Sequence, residues 1–207
     1  MKRKFSNDHL AAIVGLAFLT VGCPSGGVGD PCTPEDEYTQ EFSGFSVGEV
    51  NVESRSFQCE TRICLVNHFQ GRVSCPYGQT QDVANTWNDA SQPGDEPDRC
   101  RIPGTDGTST DDRIAVAVEP QLEERQAEKA VYCSCRCDGP DEGARYCECP
   151  SGYVCTELVK KLGLPGGQLA GSYCVRNGTK FDPTAPKGAP CDDLTATCDK
   201  KKTGANP

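Results

Sequence analysis

Between Tyr132 and Cys155 the chain reads YCSCRCDGPDEGARYCECPSGYVC, six cysteines within 24 residues. Cysteines at this spacing have two kinds of chemistry open to them. Reduced, closely spaced thiolates bind zinc, copper(I) or iron–sulfur clusters. Oxidised, they cross-link the fold. If Cys133, Cys135 and Cys137 lie in a strand, alternation puts them on one face, with Cα atoms ~6.6 Å apart from twice the strand rise. Disulfides prefer ~5.5–6 Å, so these cysteines are expected to pair with distant partners and not with one another. The same holds for Cys147 and Cys149. Five cysteines on two strand-like pieces would then draw in five other parts of the chain, which makes the stretch a cross-linking hub.

Other candidate chemistry is sparse. A Ser-His-Asp or Cys-His arrangement has to use His68, because the only other histidine is His9 near the N-terminus. His68 follows Cys64 by four residues in the segment CLVNHF, which reads as a strand and not as a helix that would bring the two together. His68 is therefore expected on the surface or half-buried. Asp106, Asp111 and Asp112 form an acidic loop without EF-hand spacing, expected to be solvated. Asn177-Gly178-Thr179 fits the glycosylation pattern but reads here as an Asn-Gly turn. No P-loop, GxGxxG, HExxH or CxxCH pattern occurs. No catalytic residue, metal site or cofactor is assigned.

The elements that must position the cysteines are short. Phe45 to Val52 alternates but changes phase at Gly48-Glu49, which predicts an interrupted or bulged strand. Ile63 to Val66 and Arg72 to Ser74 are strand candidates on either side of a turn near Gln70-Gly71. Ile114 to Val118 (IAVAV) is a further strand candidate, closed by Pro120, and Leu122 to Ala130 suits a two-turn helix. Thr156 is a candidate N-cap for a helix over Glu157 to Leu162, with Gly163 as its stop. Ser172 to Val175 is the last strand candidate. The run from Ser91 to Asp112 is polar and rich in Pro and Gly, so residues 78–112 read as a long exposed linker tied at Cys100, with the sole Trp, Trp87, before it. The segments are thus 1–22, a targeting sequence; 23–31, a tether; 32–77, a first cysteine-pinned piece; 78–112, a loop or linker; 113–176, the cysteine-rich core; and 177–207, a tail.

The chain has 207 residues, with 15 Cys, 22 Gly and 15 Pro against 36% hydrophobic residues. That is too little apolar material for a large core, and cross-links are expected to replace missing burial. The predicted fold class is small, disulfide-rich, mainly β and irregular, with one or two short helices. The net charge is −9, and removal of residues 1–22 takes away three basic residues and one acidic one, leaving −11. Such a charge argues against nucleic acid and against an anionic membrane surface as partners.

The N-terminus carries a basic segment, Lys2-Arg3-Lys4, and an apolar one, Leu10 to Val21, of 12 residues. This has the shape of a secretion signal, too short to span a bilayer. With Leu19-Thr20-Val21-Gly22-Cys23 the chain resembles bacterial lipoprotein precursors, whose cysteine after a small residue is acylated, with palmitate among its chains, and becomes the new N-terminus. Gly22 and Cys23 match; Thr20 stands where the family usually has Leu. The resemblance implies lipidation at Cys23. It also accounts for an odd cysteine count: 14 then remain, Cys32, Cys59, Cys64, Cys75, Cys100, Cys133, Cys135, Cys137, Cys147, Cys149, Cys155, Cys174, Cys191 and Cys198, enough for seven bridges. Pro24, in place of the Asp that signals inner-membrane retention in that family, implies the outer membrane.

Cys147 to Tyr153 (CECPSGY) is similar to the end of an EGF-like module and to the Cys-Pro-x-Gly turns of trypsin-inhibitor-like domains, although Cys155 follows Tyr153 sooner than an EGF-like spacing allows. The whole chain looks like the cysteine-rich outer-membrane lipoproteins of Gram-negative bacteria. The expected function is that of a lipid-anchored envelope protein with a structural, adhesion or complex-forming role and no catalysis. It would meet the membrane through its lipid and other envelope proteins through its surface, and would not bind nucleic acid. The alternative is a peptidase inhibitor or ligand-binding module presenting the loop 92–112, braced at Cys100.

Overall fold

A computed structural model describes residues 26–86, 99–160, 169–179 and 181. It is mainly β and irregular, with six strands and two short helices, in two three-stranded antiparallel sheets. The first sheet runs β1 (Val50–Glu53), β2 (Ile63–Asn67), β3 (Val131–Ser134), with β2 in the middle. The second places β6 (Gly171–Arg176) between β4 (Arg136–Asp138) and β5 (Tyr153–Val159).

The middle strand β2 explains its own sequence. Cys64 and Val66 point into one cluster with Phe45, Phe69 and Val131, while Leu65 points to the other face, beside Tyr132 and Val175. Both faces are covered, so ICLV reads as a continuous apolar run and not as an alternation. On β3, Val131 and Cys133 join the first cluster and Tyr132 the second. The second sheet closes over that face: Arg176 N donates to Tyr132 Oη (2.9 Å), and Ser134 Oγ donates to Cys174 O (2.9 Å).

Among the described residues the apolar core falls into three small clusters, and four of the ten buried members of the largest are cysteines. Polar groups fill the remaining space. Glu37 and Arg72 are both fully buried and paired (3.4 Å). The Glu37 carboxylate also accepts from Val73 N (2.7 Å) and Ser74 Oγ (2.6 Å), while the Arg72 guanidinium donates to the carbonyls of Glu37, Thr39 and Phe42. One ion pair thus ties the 35–42 turn to the 72–74 turn, a join that carbon side chains make in a larger core.

Several local expectations meet their tertiary setting here. Phe45 to Val52 is interrupted as predicted: Phe45 forms an isolated bridge to Gly71, and β1 begins at Val50. Gly44 and Gly71 stack backbone on backbone at that bridge, both at positive φ, and a Cβ on Gly44 would meet Gly71 backbone at 2.7 Å. Arg72 to Ser74 does not form a strand; Arg72 and Cys75 close a tight turn. Ile114 to Val118 forms no strand and bends at Val116. Its flanks, Arg113 and Val118, bridge to Arg101 and Gln79, and the carbonyls of Ile114 and Val116 are taken by the Gln79 side-chain amide.

The helix expected over Leu122 to Ala130 shrinks to α2 (Ala127–Ala130) because Arg125 turns inward. Its buried guanidinium donates to the carbonyls of His68 (2.7 Å), Asn67 (2.7 Å) and Thr179 (3.2 Å), which holds the preceding residues in a turn. The helix expected at Glu157 to Leu162 is corrected: Tyr153–Val159 is strand β5, paired with β6 from Tyr153↔Arg176 to Val159↔Gly171. Val154, Thr156 and Val159 are β-branched, and the open side of β6 supplies partners that a short isolated helix would lack.

Residues 78–86 and 99–112, read as part of an exposed linker, are ordered against the body. Thr80 Oγ1 caps α1 (Gln81–Asn85) by accepting from Val83 N, and Gln79, Arg99 and Cys100 are buried. Residues 26–31, read as a tether, are also engaged: Gly29 N donates to Cys133 O (2.8 Å) and Cys133 N to Asp30 O (2.8 Å). Trp87, the loop up to residue 98, Gly163, and Cys191 and Cys198 of the tail lie outside the described residues, as do residues 1–25 with Cys23.

Candidate functional site

The cysteine stretch lies where the two sheets meet. Cys133 is on β3, Cys137 is on β4, and Cys135 is the single residue between Ser134 and Arg136 at which the chain leaves one sheet for the other. Six bridges form among the described residues: Cys32–Cys64, Cys59–Cys133, Cys75–Cys100, Cys135–Cys147, Cys137–Cys155 and Cys149–Cys174. Their Cα–Cα distances run from 5.3 Å to 6.3 Å, within the ordinary range.

As expected from same-face spacing, Cys133, Cys135 and Cys137 do not pair with one another, and Cys147 does not pair with Cys149. The expectation of five outside partners is corrected. Cys135–Cys147 and Cys137–Cys155 close within the stretch itself, and only Cys133 and Cys149 reach outside it, to Cys59 and Cys174. The cause is the turn through Asp141–Gly143, which folds the 147–149 piece back beside β4; Cys147 N donates to Arg136 O (3.1 Å). A Tyr146 hydroxyl shared between Asp141 N (3.1 Å) and Asp141 O (2.8 Å) holds that turn.

Neighbouring bridges approach closely. Cys174 Sγ lies 3.6 Å from Cys135 Sγ and 3.7 Å from Cys147 Sγ. Around Cys32, Cys59 and Cys133, and again around Cys137, Cys149 and Cys174, sulfurs gather within 4.8 Å. A soft cation would need these sulfurs as thiolates. As drawn together in bridges they present a covalent web.

His68 lies away from this web in sequence but beside β6 in space. Its backbone takes φ 50°, left-handed for a residue other than glycine. Its Nδ1 is 3.0 Å from Val47 O, and its ring stacks on Phe181 with centroids 4.1 Å apart. Burial holds the imidazole below its usual pKa, with the Arg125 charge adding to the effect. The nearest sequence candidate for a nucleophile, Cys64, is bridged to Cys32. His68 lines a hollow of about 650 Å³ with Asn67, Thr156, Glu157, Val175 and Thr179. His68, expected on the surface or half-buried, is half-buried; the Arg125 that fixes its carbonyl was not foreseen, since nothing in the segment LEERQAEKA distinguishes Arg125 from a solvated helix residue.

The acidic loop closes on itself. The Asp106 carboxylate accepts from Thr108 N (3.0 Å) and Thr108 Oγ1 (2.7 Å), which hold it below its usual pKa. Asp112 accepts from Ser109 N (3.2 Å) in a capping box with Ser109. Ile102 N donates to Asp112 O (2.7 Å), so residues 101–113 form a closed loop rooted beside the Cys75–Cys100 bridge. Asn177-Gly178-Thr179 is a turn with Gly178 at φ 76°, its Thr179 side chain buried and bonded to Arg176 O (2.8 Å).

Buried tyrosines complete the junction of the sheets. Tyr132 is fully buried, and burial pushes its hydroxyl pKa up to about 12. Arg176 spans Tyr132 and Tyr153, 5.4 Å from each ring centroid. Comparison with family models, with curated proteins and with solved structures finds no match for this chain.

Proposed function

We propose that this chain is a lipid-anchored, cysteine-rich protein of the cell envelope, attached through Cys23 and serving a structural, adhesive or complex-forming role. The observation that carries the reading is the density of cross-links: six bridges among the described residues, set against an apolar core divided into three small clusters. Bridges in this number persist in oxidising compartments, which supports a place outside the cytoplasm. The resemblance of Leu19 to Cys23 to a lipobox supplies the anchor, and the acidic net charge of −9 disfavours a nucleic-acid partner. No residue is assigned a catalytic role. Multiple acyl chains anchor a protein stably where one is marginal.

The anchor is tested by feeding cells a fatty-acid analogue and comparing wild type with Cys23→Ala. Label in the wild type alone, in the membrane fraction, is the expected result; equal labelling of both would remove Cys23 from the account.

A second reading, presentation of a braced loop to a protein partner, draws on the closed loop 101–113 beside Cys75–Cys100. Bracing before binding lowers the ordering cost of association. If the chain is a peptidase inhibitor, it should block a panel protease stoichiometrically, and cleavage of the 101–113 loop should abolish the block.

A further inference from the structure

Phe57 is the most exposed large apolar side chain among the described residues, at 81%. It does not stand alone. The Arg62 guanidinium lies over its ring, 4.1 Å from the centroid. Tyr38, half exposed, lines with Phe57, Arg55 and Arg62 a hollow of about 530 Å³. The loop that displays Phe57 is held firmly. Cys59 is buried and bridged to Cys133, Arg62 N donates to Cys59 O (2.9 Å), and Ser56 N donates to Arg62 O (3.1 Å). Arg62 itself adopts the left-handed conformation, φ 65°.

The same loop is where the N-terminal end of the described chain attaches. Gly26 N donates to Gln58 O (2.7 Å), and Glu60 N donates to Gly26 O (2.9 Å). Cys23 precedes Gly26 by three residues, and three residues span at most ~11 Å. The backbone of Cys23, and with it the attachment point of a lipid, is therefore tethered within about that distance of Gly26 and its bridge to the Phe57 loop. From Ser54 to Arg62 the loop carries Arg55 and Arg62 against Glu60, and Glu35 and Glu53 line the same hollow, so charges of both signs meet at this face. Aromatic rings with an arginine whose stem lies on apolar surface and whose head reaches water are the side chains that suit the headgroup region of a bilayer.

We infer that the patch of Tyr38, Phe57 and Arg62 is a membrane-contact face, with the Phe57 ring seated among lipid headgroups and acyl carbons beside the anchor. The inference rests on the lipid-anchor reading. Glu35 and Glu53 line the same hollow as Arg55 and Arg62, so the contact is through the rings and the guanidinium and needs no anionic lipid. The lipid then sets the chain's distance from the bilayer and this face sets its orientation.

The test uses the full lipidated chain bearing Phe57→Trp, reconstituted in phosphatidylcholine vesicles brominated on the acyl chains. Wild type, whose only Trp is Trp87, gives the background. The expected result is an added emission that is blue-shifted and largely quenched by bromine, and shielded several-fold from aqueous acrylamide. The Cys23→Ala, Phe57→Trp chain in solution should show the same Trp open to acrylamide. A Trp that stays red-shifted and unquenched on vesicles, while Cys23 takes up fatty acid, would overturn the membrane face and leave the anchor standing. Loss of a co-purifying envelope protein on Phe57→Ala, with no lipid quenching, would assign the patch to a protein partner and overturn it equally. Absence of fatty acid on Cys23 would remove both the anchor and the face.

Discussion

Cys155 and Cys174 stand directly opposite each other across β5 and β6, yet neither bonds to the other. Cys155 is joined to Cys137 and Cys174 to Cys149, so one facing pair connects β5 and β6 to two further segments. Cys64 and Cys133 repeat the arrangement across β2 and β3, bonded to Cys32 and Cys59. In each sheet the backbone hydrogen bonds already join the facing strands. Three of the four partners, Cys32, Cys59 and Cys149, lie on segments outside the strands, and the fourth, Cys137, lies on β4 at the far side of β6. Mass-spectrometric mapping of the non-reduced protein should therefore find Cys137–Cys155 and Cys149–Cys174, and Cys32–Cys64 and Cys59–Cys133. Peptides joining Cys155 to Cys174, or Cys64 to Cys133, would contradict this arrangement.

Full reduction should unfold the chain. A bridge stabilises by about 2–4 kcal/mol, and a domain's net stability is only about 5–15 kcal/mol. With the core divided into three clusters, little remains to hold the sheets together. Circular dichroism should lose its strand signature and protease resistance should vanish on reduction; survival of both would refute a covalently held fold.

The Glu37–Arg72 pair offers a test of the polar core. Glu37→Gln leaves the fully buried guanidinium without its counter-charge, a change that costs about 3–5 kcal/mol. Denaturant titration should show the midpoint falling with the slope unchanged. A shift below about 1 kcal/mol, the scale of an exposed pair, would mean that water reaches the site.

His68 gives a pH dependence of known sign. Its pKa is lowered in the folded chain from 6.5, chiefly by burial, so the unfolded chain binds the proton more readily. The contribution of His68 to stability is complete above pH 6.5 and is lost as pH falls below that value through the folded pKa. His68→Asn tolerates the left-handed backbone and cannot titrate. Urea midpoints compared at neutral and mildly acidic pH should fall more steeply for wild type than for His68→Asn; parallel profiles would refute the assignment.

The sequence made the strands of the first sheet legible because their apolar residues carry their own pattern, as in ICLV and in Val50 and Val52. The same local reading failed at Glu157 to Leu162. There Thr156 and Leu158 suit a helix, and only the distant β6 decides for a strand. It also passed over α1, although Thr80 followed by Gln81-Asp82 is an N-cap signal. At the hub, spacing correctly forbade pairing among Cys133, Cys135 and Cys137, since that is a matter of local geometry. It left Cys135–Cys147 hidden, because the turn through Asp141–Gly143 that brings them together has no signature in cysteine spacing. Arg125 and Glu37 were invisible for a different reason: a charged residue announces its burial only through its partners.

The most direct measurement is the intact mass of the chain extracted from membranes, taken before and after thiol alkylation without reduction. The expected mass is that of a chain beginning at Cys23, heavier by a diacylglyceryl group and an N-linked acyl chain, and unchanged by the alkylating reagent. An unmodified N-terminus elsewhere, or a gain in mass showing several free thiols, would contradict it.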